Sequence, residues 1–260
     1  MPSPNRAPVA VEPLRLLAVA VQFLTRFPVP AIRVDDGDLR RASAAFPLVG
    51  VFVAAVGIAV RAAAEPLWGP LPATVTAVLA MVAATGAFHE DGLADAVDGI
   101  WGGWDPEQRV AIMRDSRIGT YGTVAVVGNL GLRVALLAPL RLGVFVTAVL
   151  CGHVLGRAAG LVMAASLPAI GGGTGAQVAG PLRWPGAAFA TATTLAVLGV
   201  TAGAAAPVVA VAPLVPFAAC RRLFRRKLGG VTGDTLGAVN QVVDLAAIAA
   251  VAALWRTGWL

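Results

Sequence analysis

The stretch from His89 to Tyr121, HEDGLADAVDGIWGGWDPEQRVAIMRDSRIGTY, is where the chemistry of this chain concentrates. Glu90, Asp91, Asp95, Asp98 and Asp105 come first, followed by Arg109, Arg114, Asp115 and Arg117. A helix over residues 91–98 would set Asp91, Asp95 and Asp98, spaced by four and then three residues, on one face. Like charges on one stripe repel, so the stripe calls for a cation. Mg²⁺ suits it, because this ion takes carboxylate oxygens, keeps several waters and leaves positions open for phosphate oxygens. Glu90, Asp91, Asp95 and Asp98 are the candidate ligands. Arg109, Arg114 and Arg117 are candidate substrate clamps, since a guanidinium grips phosphate through two parallel hydrogen bonds. The same stripe could serve an ion or proton pathway, or simply keep a solvated loop out of lipid. Acids interleaved with glycines and followed by arginines favour metal-assisted phosphotransfer.

The base for such a reaction has three candidates: Asp98, Asp115 and His89. Asp115 could equally orient the arginines beside it, and His89 could equally donate to a carbonyl at a helix end. Asp234, in the turn GGVTGD, fits a metal shell, a sugar hydroxyl or a helix N-cap. Arg157 and His153, four residues apart on an apolar segment, face either a substrate cavity or a buried carboxylate. Gly171–Gly175, GGGTG, reads as a flexible loop. The run Arg221, Arg222, Arg225, Arg226, Lys227 reads as an anchor at anionic lipid. Trp101 and Trp104 are near enough to the acids to stack on a ligand.

The elements that must hold these groups are membrane spans. With 58% hydrophobic and 13% charged residues and a mean hydropathy of +0.79, the 260-residue chain lies outside the soluble range. The expected fold is all-α, a single integral-membrane domain over residues 1–260 with about six to eight transmembrane helices. Residues 1–13, rich in proline, are expected to be disordered, and Leu14–Phe27 to form an interfacial or re-entrant helix. Spans are expected over Ser43–Ala64, Leu71–Phe88, Thr120–Leu140 and Leu142–Leu167. One or two more lie within Pro185–Ala219, and a last one ends near Trp255. The polar blocks 89–121 and 229–244 stand apart from these. Arg40, Arg41, Arg109–Arg117 and Arg221–Lys227 share one side, which the positive-inside rule makes cytoplasmic. The formal charge of +6 belongs to such loops, and no interleaved aromatic and basic face points to nucleic acid. Cys151 and Cys220 show no CxxC spacing, against a disulfide framework or zinc site.

FHEDGLADAVDGIWGG followed by RVAIMRDSRIGTYG closely resembles the signature of the cobalamin synthase family, H-x-DGLADxxDG and then I-M-[KR]-DSRIGT-[FY]-G. FLTRFPVP at Phe23–Pro30, FPLVG at Phe46–Gly50 and GGVTGDTLGAVNQ at Gly229–Gln241 extend the likeness in family order. Glu90 stands where an apolar residue is common, and Gln241 and Asp244 where glutamates are frequent. The resemblance implies a Mg²⁺-dependent transferase of the bacterial inner membrane, multi-pass, with its site facing the cytoplasm. Its substrates would be adenosylcobinamide-GDP and α-ribazole or α-ribazole 5′-phosphate. GMP and the completed cobalamin, or its phosphate, would be the products. Membrane lipid, other corrinoid-pathway enzymes and a second copy of the chain are its expected partners. A CDP-alcohol phosphatidyltransferase is the nearest competing enzyme, but Asp95-Ala-Val-Asp98-Gly99 matches only the start of its pattern. A carboxylate-relay transporter is the competing non-enzyme, and would spread polar residues through several spans rather than gather them at one face.

Overall fold

A computed structural model describes residues 12–30, 32, 34–35 and 37–260. Residues 1–11, most of the segment expected to be disordered, lie outside the described residues. Glu12 and Pro13 instead open helix α1, Glu12–Leu24, where proline in the first turn forfeits no internal hydrogen bond. This helix buries Val19, Ala20, Val21 and Leu24 and stops short of the expected Phe27, because Pro28 pushes the residue before it out of the helical region. Short α2, Asp38–Ala42, and a single 3₁₀ turn lead into α3, Phe46–Trp68.

The long helices follow the apolar runs. After α3 come α4 (Pro70–Thr85), α7 (Thr120–Leu137) and α8 (Leu142–Ser166). The last long helix, α13, covers Gly233–Arg256. Between α4 and α7 lie α5, Phe88–Gly102, and α6, Pro106–Met113. The expected span Leu71–Phe88 ends early: Gly86 and Ala87 take left-handed φ values of 64° and 58°, and α5 leaves α4 at 85°. α5 runs through Gly92 and Gly99 and ends at Gly102, with Gly103 as its C-cap.

The short α9, Thr174–Val178, follows the glycine loop. The 44-residue apolar stretch Trp184–Lys227 carries α10 (Trp184–Ala202), α11 (Ala206–Val211) and α12 (Leu214–Lys227). It folds back at Gly203, φ 54°. The Thr201 carbonyl accepts from Thr147 near the start of α8 (3.0 Å), whereas Arg221 donates to Ser166 at its far end (3.2 Å). One stretch therefore crosses twice. Among the described residues five helical stretches are long and apolar enough to span, and bent α4–α5 makes a sixth. The extra crossing keeps the bundle within the expected range. Among the described residues the only β pairing is the isolated bridge Ala169–Val231, so the all-α expectation holds.

Besides a cluster that packs α1 and α2 on the start of α3 through Val19, Leu24, Leu39 and Phe46, two cores divide the bundle. One half is filled by Val53, Ala77, Leu137, Phe145, Ile248 and their neighbours. It is closed at its end by fully buried Arg61, which donates to Glu65 (2.9 Å) and to the carbonyls of Pro70 (2.9 Å) and Leu140 (3.3 Å). The other packs Leu93, Ile100, Met113, Met163, Phe224 and Val239 around the polar end.

Candidate active site

The site is built where α5 crosses the start of α13. Both helices carry glycine at the crossing: a Cβ on Gly92 would stand 3.2 Å from the Asp234 carbonyl oxygen and 3.3 Å from Gly237 Cα. Thr232 fixes the start of α13 with a capping box, its side chain accepting from the Thr235 amide (3.2 Å) and its own amide donating to the Thr235 hydroxyl (2.8 Å). Asp234 is thus a first-turn residue and the N-cap role falls to Thr232. Across the glycine contact, Asp95 lies in the electrostatic field of Asp91, Asp98 and Asp234, and Asp234 in that of Asp91. Among the described residues neither Asp91 nor Asp95 makes an ion pair.

The acidic stripe separates into different roles. Asp98 is buried, and both its oxygens accept backbone amides at the start of α7, from Gly119 (2.7 Å) and Gly122 (2.9 Å). A carboxylate here satisfies amides that have no partner inside the helix and meets the positive end of its dipole. Asp105 caps α6 by accepting from the Gln108 amide (2.8 Å). Glu90 points away from Asp91 and Asp95 into the bundle, where it accepts from Gln241 (2.9 Å). Gln241 accepts from Arg133 (2.8 Å), Arg133 pairs with Asp244 (3.2 Å), and Asp244 meets His153. His89 is buried beside the same polar group, stacked edge-on against Phe88 (5.3 Å). The structure thus gathers Asp91, Asp95 and Asp234, and sets Glu90, His89 and the bonded oxygens of Asp98 elsewhere.

The arginines divide as well. Arg109 is buried and donates to the carbonyls of Lys227 and Trp104 (2.8 Å each), so it braces α6 against the end of α12 rather than facing a ligand. Arg117 is exposed and pairs with Asp115 (2.6 Å), which holds the Asp115 carboxyl down to about 2. A carboxylate that acidic is a weak proton acceptor, which counts against Asp115 as base. Arg157 is buried and donates to the His153 carbonyl (3.1 Å), while its Nε has no partner. Arg114 reaches a polar cleft. It donates to the Gly171 carbonyl and lines a polar opening of about 200 Å³ with Gly171–Gly173, Thr232 and Asp234. Those three glycines hold φ near 76–77°, a conformation that disfavours side chains and leaves the loop backbone bare toward the cleft. GGGTG is part of the site, which a glycine run with no neighbouring motif did not reveal. Trp101 and Trp104 stay exposed, with Lys227 over the Trp101 ring at 5.8 Å.

The donor set fits a hard cation. Among the described residues no three His, Cys, Asp or Glu side chains form a ready-made cage. Mg²⁺ needs none, since one or two carboxylates suffice when phosphate oxygens and water complete its shell.

Spans, unpaired carboxylates and a glycine-lined cleft at one end of the bundle define a polytopic membrane protein with a candidate polar site at that end. The chain belongs to the cobalamin-5-phosphate synthase family, whose sequence model matches residues 16–252. It is 40% identical over 254 residues to the adenosylcobinamide-GDP ribazoletransferase of Azorhizobium caulinodans, covering 89% of this chain and 94% of that one. The protein of the same name from Xanthobacter autotrophicus is 41% identical, covering 87% and 91%, and that from Shewanella woodyi 37%, covering 90% and 94%. No solved structure matches.

Proposed function

We propose that this chain transfers the adenosylcobinamide-phosphate moiety of adenosylcobinamide-GDP to α-ribazole or its 5′-phosphate, releasing GMP. The convergence of Asp91, Asp95 and Asp234 beside the Arg114 cleft carries the reading. Asp91, Asp95 and Asp234 would hold Mg²⁺, which when bound supplies charge neutralisation for a pyrophosphate under attack. Arg114 offers a guanidinium to phosphate oxygens, and the bare Gly171–Gly173 backbone allows the diphosphate close approach. The ribazole 3′-hydroxyl attacks the phosphorus attached to the aminopropanol of the cobinamide, the bond to the GMP phosphate breaks, and GMP leaves with the electron pair. Asp91 and Asp95 are the nearest acceptors for the hydroxyl proton, given that Asp98 is bonded through both oxygens, Asp115 is too acidic and His89 faces the interior.

Arginines gather at the site's end of the bundle, in Arg114, Arg117 and the last turn of α12. On this basis the site faces the cytoplasm from the inner membrane, where corrinoid-pathway enzymes can deliver the substrate. Purified protein in lipid with Mg²⁺ should release GMP from adenosylcobinamide-GDP only when α-ribazole is added. Asp91→Ala and Asp95→Ala should each abolish release, and full activity in both would remove the carboxylate site.

A further inference from the structure

Two of the sequence blocks, FLTRFPVP and FPLVG, supply nothing to the reaction just described. The fold nevertheless brings them to the site. Phe23 and Leu24 of the first and Phe46 of the second line a slot whose other walls are Phe88, His89 and the inner side of α13. Phe23 stacks on Phe46 (5.8 Å, 12° between planes) and meets Phe88 edge-on (5.2 Å). The rest of the lining combines the bare backbone of Gly160, Gly175, Gly233 and Gly237 with the apolar side chains of Leu161, Val178 and Leu236. Gly175 and Gly233 also line the Arg114 cleft, so slot and cleft adjoin. Arg157 and Asn240 stand at the polar inner end, and the buried Arg157 Nε has no partner there.

Resting on the reaction proposed above, we infer that this slot receives the flat bicyclic base of the acceptor nucleoside, while the polar cleft takes the guanosine diphosphate. Aromatic rings, apolar side chains and bare glycine backbone together form a gap suited to a planar apolar ring. The benzimidazole of α-ribazole has an apolar dimethyl edge and a single ring nitrogen that accepts, which matches a donor such as the Arg157 Nε. Guanine presents donors along its edge, and the slot holds no carboxylate to receive them, whereas the cleft holds Asp234. Gly237 touches Gly92, next to Asp91, so a base in the slot directs its ribose toward the acidic cluster. The slot measures about 50 Å³, less than a bicyclic ring fills. The partly exposed ring of Phe23, carried on α1, must therefore move outward to admit the base and then close over its face as a wall of the slot.

Two variants test this from opposite directions. Phe23→Ala removes a wall, and Gly160→Val fills the gap. The first added carbon at Gly160 meets only the Leu236 carbonyl oxygen, at 4.0 Å, and thermal denaturation of the variant shows whether the two further methyl groups are accommodated. In lipid nanodiscs, each should raise KM for α-ribazole about tenfold or more while KM for adenosylcobinamide-GDP stays within about twofold. Phe23→Ala should also lessen the preference for α-ribazole over an adenine-bearing analogue. Equal rises in both KM values, or an unchanged α-ribazole KM in both variants, overturn the slot. Calorimetric binding of α-ribazole alone separates this from the reaction itself. Binding to wild type that Gly160→Val abolishes, with no GMP released by either, would retain the slot and sink the transfer; no binding to wild type would sink the slot.

Discussion

Gly92 and Gly237 touch backbone to backbone, a methyl on either standing 3.2–3.3 Å from the Cα of the other. This contact sets the distance between Asp91 and Asp95 on one helix and Asp234 on the other. Alanine at Gly92 forces the helices apart by a few tenths of an ångström, and leucine by far more. Activity should therefore fall in the order Gly, Ala, Leu. Measuring kcat beside thermal stability checks this, and a Gly92→Leu protein as active as wild type would refute the spacing role.

Asp98 and Asp95, three residues apart, should respond oppositely to truncation. Asp98→Ala strands the amides of Gly119 and Gly122 and should cost about 1–3 kcal/mol of stability. Asp95→Ala removes repulsion among like charges, so it should leave the melting temperature unchanged or raised while GMP release stops. Thermal denaturation in detergent, run with the activity assay, reads both.

Asp115 should contribute nothing to the pH profile near neutrality. Its pKa is lowered to about 2 by Arg117, so any stabilisation from the pair is present above the ordinary carboxylate range and is lost only as pH falls through about 2. Asp115→Asn should leave the shape of the rate profile between about pH 5 and 9 unaltered. A displaced acid limb would restore Asp115 to the chemistry.

Asp244 is the hub of the buried network, facing Arg133 and His153 in the bundle interior. Asp244→Ala leaves the Arg133 guanidinium uncompensated and should destabilise by about 3–5 kcal/mol. The paired change Asp244→Ala with Arg133→Met should recover part of that loss, which a double-mutant cycle of unfolding free energies would show.

Chelation offers a direct test of the ion. Excess EDTA should stop GMP release and added Mg²⁺ should restore it, with Asp234→Asn raising the Mg²⁺ concentration for half-maximal rate. Activity indifferent to chelation would remove the cation from the proposal.

Much of this was legible in the chain. Apolar runs of span length located α3, α7, α8 and the end of α13 to within a few residues, because in hydrocarbon only a helix satisfies its own backbone; the start of α13 was missed, since the polar block 229–244 was set apart from the spans and most of it lies inside that helix. The stripe of Asp91, Asp95 and Asp98 was legible as a stripe, since helical spacing alone fixes a shared face. What the spacing could not tell is which neighbour each residue meets. Asp98 reaches the amides of α7, and Glu90 lies on the other side of the helix, where Gln241 awaits it. Arg109 looked like its neighbours until α12 was seen to bring the Lys227 carbonyl against it. The glycines of α5 gave no sign of what packs on them, because one sequence shows a missing side chain but not the helix that needs the room.

The half of the bundle packed by Phe145, Leu137 and Ile248 and shut by Arg61 has a kinetic consequence. Packed side chains fill that half, and the cleft beside Arg114 lies at the other, so nucleotide that enters by this mouth departs by the same side and turnover neither draws on nor dissipates a gradient across the bilayer. Product lingering in that mouth would then compete with the next substrate, tying the rate to how quickly the membrane surface is cleared.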